Sequence, residues 1–326
     1  MSEWKETTLG EVVNFTTGKL NSNAATINGK YPFFTCSPET LKIDNYAFDC
    51  NAILLAGNNA NAIYSIKIYT GKFNAYQRTY VITLKDSLTS NLRYLYYLLT
   101  LKLNHFKEIS QGSATKFLTI VILNSLQIKL PSFKEQKRIA DVLSCLDAKI
   151  ENLRRQNETL ENIAQTLFKH WFIDFEFPNA DGKPYKSSGG VMVPSELGDI
   201  PEGWRVGTVG EEFEIIMGQS PAGSSFNENK QGIIFFQGRT DFGFRFPTIR
   251  LYTTEPSRIA EKFDVLVSVR APVGDVNLAS EKCCIGRGLA AVKSQYKSYC
   301  LHKIKSFKKL FNVFESEGTV FGSINK

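Results

Sequence analysis

Residues 4–18, WKETTLGEVVNFTTG, return without a gap as residues 204–218, WRVGTVGEEFEIIMG. Trp4, Thr8, Gly10, Glu11 and Gly18 fall on Trp204, Thr208, Gly210, Glu211 and Gly218. A chain that repeats itself in this way holds two copies of one folding unit. The match continues in pieces: PFFTC (32–36) on IFFQG (234–238), NAILLA (51–56) on FDVLVS (263–268), AYQRTYVI (75–82) on IGRGLAAV (285–292), and SQGSATKF (110–117) on SEGTVFGS (316–323). The offset drifts between 200 and 212, as it must if strands are kept while loops change length. Short apolar runs broken by Gly, Asn and Pro, with local alternation, predict a β-rich domain. Residues 90–109, SNLRYLYYLLTLKLNHFKEI, carry an apolar stripe at helical spacing, its aromatics reading as core.

Between the copies the pattern changes. Ile139, Leu143, Leu146, Ile150, Leu153, Asn157, Leu160, Ala164 and Leu167 alternate in steps of four and three, an unbroken heptad seam. Pro131-Ser132 followed by Glu135 predicts an N-cap with a capping box. A polar Asn157 at one seam position costs stability but fixes register. Such a helix runs about 55 Å at 1.5 Å per residue. The fold class expected is therefore α+β, two repeated β-rich domains joined by a long coiled-coil-type spacer helix. The boundaries are 1–132 for the first domain, 133–177 for the spacer, 178–203 for a linker and 204–326 for the second domain.

Charge also separates along the chain, with an acidic stretch that runs into the start of the second domain. Residues 1–132 carry a net +5, the spacer −1, residues 178–236 −4 and residues 237–326 +7, within a total of +7. Two basic regions on either side of a near-neutral rod suit a polyanion such as double-stranded DNA, although solvated surface cations give the same totals. The six cysteines show no C-x-x-C pair or metal-ligand spacing, the three histidines are isolated, and no apolar run is long enough for a bilayer. These features fit a cytoplasmic chain with no metal. Catalytic signatures are wanting too: there is no phosphate-binding G-x-x-x-x-G-K-[ST] loop, and no G-x-G-x-x-G follows a strand and opens a helix. Glu135-Gln136-Lys137 matches part of a nuclease pattern but sits in a first helical turn, where capping explains it. No catalytic residue is expected.

The order of a Trp-started domain, IKLPSFKEQKRI (128–139) opening a long helix, IPEGW (200–204) and a second domain resembles the specificity subunits of type I restriction–modification systems. In that family an IPLP-x-x-EQ segment opens the spacer. FNAYQRTYVI (73–82) and SVRAPVGDVN with CIGRGLAAV (268–292) look like segments of its target-recognition domains. The resemblance covers essentially the whole chain. It implies that each repeat reads half of a split DNA target and that the helix sets the gap between half-sites. It further implies partners: modification (methyltransferase) subunits that bring S-adenosylmethionine chemistry, and a restriction subunit that brings ATP and Mg. No cofactor is expected on this chain itself.

Candidate DNA-binding residues are polar side chains in loops or beside strands. In the first domain they are Lys19, Asn21, Asn23, Lys30, Asn58, Asn59, Gln77 and Arg78; in the second they are Gln219, Ser220, Gln237, Arg239, Arg245, Arg270 and Arg287. Arg, Asn and Gln read base edges, while Lys anchors phosphates; the same residues also serve in structural salt bridges or solvated loops. Arg239 leads, because QGRTDFGFRF interleaves arginine with aromatics in a Gly-rich loop. One departure from the family stands out. After Phe321-Gly322-Ser323-Ile324-Asn325-Lys326 no counterpart of residues 119–132 or second spacer helix follows. The seam of Ile139, Leu143, Leu146, Ile150, Leu153, Asn157, Leu160 and Leu167 is thus expected to need a second copy of the chain, a complementing fragment or the modification subunits to cover it. Two other readings stand beside this one: a truncated or silent specificity product, and a coiled-coil scaffold that binds no DNA.

Overall fold

The structure is a computed structural model that describes residues 4–59, 62–112, 115–270, 272–308 and 310–311. Contacts divide the chain into two compact units, residues 1–154 and 155–326, so the long helix is shared between them.

The first unit runs β1 (Lys5–Thr8), α1 (Leu9–Val12), β2 (Val13–Thr17), β3 (Tyr31–Phe34), β4 (Thr40–Ile43), β5 (Phe48–Ala56), β6 (Asn58–Asn59), β7 (Ile66–Ala75), β8 (Thr79–Leu84), α2 (Leu92–Leu101), α3 (Leu103–Ile109), β9 (Lys116–Phe117), α4 (Ile120–Asn124) and β10 (Gln127–Leu130). Its main sheet has the order β2-β8-β5-β7-β3-β4. NAILLA forms the end of β5, and Ala52 through Ala56 are all buried, as expected of a central strand covered on both faces. Successive side chains serve opposite faces. Ile53 and Leu55 pack with Leu95, Leu99 and Phe106 of the helices, while Ala52 and Leu54 pack with Phe34, Phe73 and Val81. The helical stripe at 90–109 folds as two helices rather than one. Lys102 breaks it near φ −86°, ψ −2°, its N–H bonding back to Leu99 and Thr100. Tyr94 is buried there, in keeping with a core role.

After β10 comes α5 (Phe133–Phe168), which ends in a π-helical turn, Lys169–Ile173. Only half of the expected capping box forms. Ser132 Oγ accepts from Glu135 N–H at 3.4 Å, but the Glu135 carboxylate does not return to the serine amide. The neighbouring Gln136 ties the helix start down instead. Buried to 1% exposure, it accepts from Asn91 N–H (2.9 Å) and donates to the Pro131 (3.0 Å) and Thr89 (3.3 Å) carbonyls. Tyr97 on α2 adds a 2.6 Å bond to Asp147. Of the heptad seam, Ile139 and Leu143 are half-buried. Leu146, Ile150, Leu153, Leu160 and Leu167 remain between 43 and 63% exposed, and Asn157 is exposed among them.

The segment after the helix is ordered by aromatic stacking. Phe177 lies between Tyr185 and Trp204 with ring centroids 4.6 and 5.4 Å away, and β11 (Met192–Val193) pairs with β12 (Ile200–Pro201). The rest of the second unit is α6 (Val209–Glu212), β13 (Glu214–Met217), β14 (Phe226–Asn227), β15 (Ile233–Phe236), β16 (Leu251–Thr253), β17 (Ile259–Ala260), β18 (Val265–Ser268), β19 (Val276–Leu278), β20 (Cys283–Ile285), β21 (Leu289–Lys293) and α7 (Lys297–Ser306).

Strand pairing shows the repeat in three dimensions. Phe15 pairs Ile82 where Ile215 pairs Val292, and Ile53 pairs Ile82 where Val265 pairs Val292. The parallel partners Phe34 and Ala75 recur as Phe236 and Ile285. Thr8 with Glu11 and Thr208 with Glu211 cap α1 and α6 with the same box. The copies differ at β7, one ten-residue strand, which in the second unit is cut into β19 and β20; the single sheet becomes two, β13-β21-β18-β19 and β14-β16-β15-β20-β17. Of the match between 110–117 and 316–323, the second segment lies outside the described residues. Among the described residues no helix is long and apolar enough to cross a membrane.

Candidate nucleic-acid interface

In each unit the loops at one end of the sheet are drawn together by backbone hydrogen bonds, and most of the polar candidates sit on them. In the first unit Gly18, just past the end of β2, comes so close to the turn after β7 that a Cβ there would lie 1.7 Å from the Ala75 carbonyl oxygen. Only glycine permits that approach. Tyr76 N–H then donates to the Phe34 carbonyl (2.9 Å), Gln77 N–H to Leu20 (2.9 Å), Thr79 N–H to Tyr76 (2.8 Å) and Gly57 N–H to Arg78 (2.8 Å). In the second unit Gly218 approaches Gly286 in the same way, a Cβ falling 2.2 Å from its oxygen. Gly286 N–H donates to Phe236 (2.8 Å), Leu289 N–H to Gly286 (2.9 Å) and Val269 N–H to Gly288 (3.0 Å), while Arg287 N–H reaches the Ser220 hydroxyl (3.3 Å). Four loops are thus held in one arrangement twice, by backbone bonds except where the Ser220 hydroxyl stands in for a carbonyl.

Side chains gathered by the first cluster are Asn21, Gln77, Arg78 and Asn58. Gln77 Nε2 donates to Asn21 Oδ1 at 2.8 Å, Asn58 Oδ1 accepts from the Cys36 thiol at 3.0 Å, and the Arg78 guanidinium lies 5.3 Å from the centroid of Phe117. Lys19 and Asn23 flank this group and are exposed; Asn59 continues β6, half-buried and paired with Lys116 of β9. Lys30 stands apart, before the start of β3, whereas the cluster lies beyond the strand's other end. The sequence could not tell which end of a strand a polar residue would join.

In the second cluster Gln219, Ser220, Gln237 and Arg287 come together. Gln219 N–H donates to Ile285 (3.0 Å), and Gln237 N–H to Asp241 Oδ2 (2.8 Å). Arg270 follows Val269 at the edge of the group. Among the described residues neither Arg270 nor Arg287, both exposed, makes a side-chain ion pair. Arg239, the leading candidate, emerges beside Gln237 but gives its Nε to Asp275 at 2.7 Å. Arg245 does not join the loops: its guanidinium pairs with Glu161 of α5 at 3.2 Å.

Three residues missed from sequence shape this surface. Asp241, 3% exposed, accepts from Gln237 N–H and pairs with Arg250, fixing the turn that carries Arg239. Asp275 pairs with both Arg239 and Lys308, and Glu161 with Arg245 and Lys305. Burial alone would raise the carboxyls of Asp275 and Glu161; bonds from these cations overcome it and hold both below the usual range. The signal available in sequence was weak, because each pairing spans more than thirty positions except that of Asp241. Among the described residues no group of His, Cys, Asp or Glu has the makings of a metal site.

Residues 1–162 match the family described as the type I restriction modification DNA specificity domain. The type I restriction enzyme EcoDI specificity subunit of Escherichia coli is 37% identical over 204 residues, covering 61% of this chain and 44% of that one. The MjaX counterpart from Methanocaldococcus jannaschii is 39% identical over 251 residues, 71% of this chain and 55% of its own. The chain therefore spans about half the length of these curated relatives. The crystal structure of a type I restriction–modification S subunit from M. genitalium shares the fold, with a TM-score of 0.63 at 19% identity over 98% of this chain and 83% of that one. This chain belongs to the type I restriction–modification DNA specificity family.

Proposed function

We propose that the chain is a DNA sequence-specificity subunit, each unit reading one half of a bipartite target. The observation that carries this reading is the twice-built loop cluster: one backbone frame that presents Asn21, Asn58, Gln77 and Arg78 in the first copy and Gln219, Gln237, Arg270 and Arg287 in the second. Arginine is bidentate to guanine and Asn or Gln to adenine, so a fixed frame with variable polar tips is what two different half-sites require. Lys19 and Lys30, with other surface cations, supply phosphate contacts that set affinity without setting sequence. α5 spaces the half-sites, and the exposed seam is covered by a second copy, a complementing fragment or the modification subunits. Catalysis then belongs to partners: methylation with S-adenosylmethionine on modification subunits, ATP- and Mg-dependent steps on a restriction subunit, all in the cytoplasm. The names of the relatives, each a specificity subunit of a type I restriction enzyme, support this assignment.

The test is to express the chain with its modification subunit in a host lacking other methylation and map modified adenines across the genome. A split motif with a constant unread gap is the expected result. Methylation absent, or independent of sequence, overturns the proposal.

A further inference from the structure

Phe244 is an apolar side chain left 64% exposed on a loop that is otherwise pinned. Asn277, 3% exposed, spends its amide on the residue before it, accepting from Gly243 N–H at 3.2 Å and donating to the Gly243 carbonyl at 3.0 Å. The residue after it is pinned too, since the Arg245 carbonyl accepts from Leu278 N–H at 2.9 Å. Thr248 N–H closes the loop onto Asp241 at 2.7 Å. The backbone on either side of Phe244 is thus pinned, and its phenyl ring is left largely in water without the gain that burying a Phe provides.

Its surroundings identify the occupant. Phe244 lines an open cleft of about 400 Å³ together with Arg239, Lys305 and Lys308. Arg245 is adjacent in the chain, so four cations meet two carboxylates, Asp275 and Glu161, and the rim keeps a positive surplus. The cleft reaches the reading loops directly, because Arg239 belongs to both. Protein-binding patches are depleted in charge at their centres, whereas an apolar wedge ringed by Arg and Lys is how proteins unstack a base step of duplex DNA while holding its phosphates.

We propose that Phe244 is a DNA wedge, inserted part-way into a base step beside the half-site read by the second unit, with Arg239, Lys305 and Lys308 on the flanking phosphates. This rests on the DNA-reading function above and adds to it a distortion that favours easily unstacked pyrimidine–purine steps.

The experiment uses the full chain with its modification subunits and duplexes carrying 2-aminopurine at successive positions across the target. For the unmodified chain a fluorescence rise at one step is expected on binding. Phe244→Ala should abolish that rise and weaken binding about tenfold, while Phe244→Leu, still an apolar wedge, keeps most of both. The melting temperature of Phe244→Ala should match the parent, because its loop is pinned through backbone atoms. Equal binding and an equal rise in Phe244→Ala, or no rise at any step, overturns the wedge while leaving half-site reading intact. Loss of affinity for the modification subunit with DNA binding unchanged also overturns it. Failure of the parent to select any sequence overturns the reading on which the wedge depends.

Discussion

Gln136 shows how much one side chain can decide. It caps nothing in the ordinary sense, yet it satisfies three backbone groups, on Thr89, Asn91 and Pro131, and thereby fastens the start of α5 to the start of α2. Gln136 is buried and so is its bond to Pro131, so the Pro131 carbonyl is left without that partner once the amide is gone. Gln136→Ala should therefore cost about 2 kcal/mol, the usual penalty for stranding buried polar groups, and chemical denaturation of the purified chain measures it. Gln136→Glu should be worse than a conservative exchange suggests, since the carboxylate cannot donate to the Thr89 and Pro131 carbonyls. The pairing of glutamate and glutamine in LPSFKEQ was visible in the sequence. Its division of labour was not: the glutamate reads as half of a capping box, and only the fold reveals that Asn91, forty-five residues earlier, is the partner of the glutamine.

α5 is the element whose reading from sequence carried furthest, because a 4-3 spacing over nine positions admits few structures. It forms as one helix from Phe133 to Phe168, and its apolar face splits by use. Gln136 and Ala140 near its start are buried against the first unit, and Phe168 at its end packs on Tyr299 and His302 of α7. Leu146, Ile150, Leu153 and Leu160 between them stay about half exposed. If a partner helix covers it, Ile150→Glu with Leu153→Lys should change the stability of either unit by less than about 0.5 kcal/mol, as for exposed positions generally. The same pair should prevent association. Light scattering, with and without the modification subunit, checks this: the parent chain associates and the double variant does not. The break of the 90–109 stripe at Lys102 was not legible, because its apolar spacing continues unbroken through the turn.

At the scale of the whole molecule the repeat is more faithful than the sequence shows. Residues that cap and turn the chain, Thr8 with Thr208 and Gly18 with Gly218, are kept as identities and announced it. The loop frames are kept as backbone bonds between unlike residues, Tyr76 in one copy and Gly286 in the other, which no comparison of letters brings out. That is also why the candidate site was only partly legible. Residue types selected Asn21, Gln77 and Arg287 for the frames together with Lys30 and Arg245, and topology alone separates them. If the frames are the readers, their side chains are independent of one another. Selection of bound sequences from random duplex DNA by the full complex tests this most directly, comparing the parent with Gln77→Ala plus Arg78→Ala and with Arg287→Ala. The account predicts a bipartite motif from the parent, with the first variant relaxing one half only and the second relaxing the other. A single contiguous motif, or a loss of both halves in either variant, would contradict it.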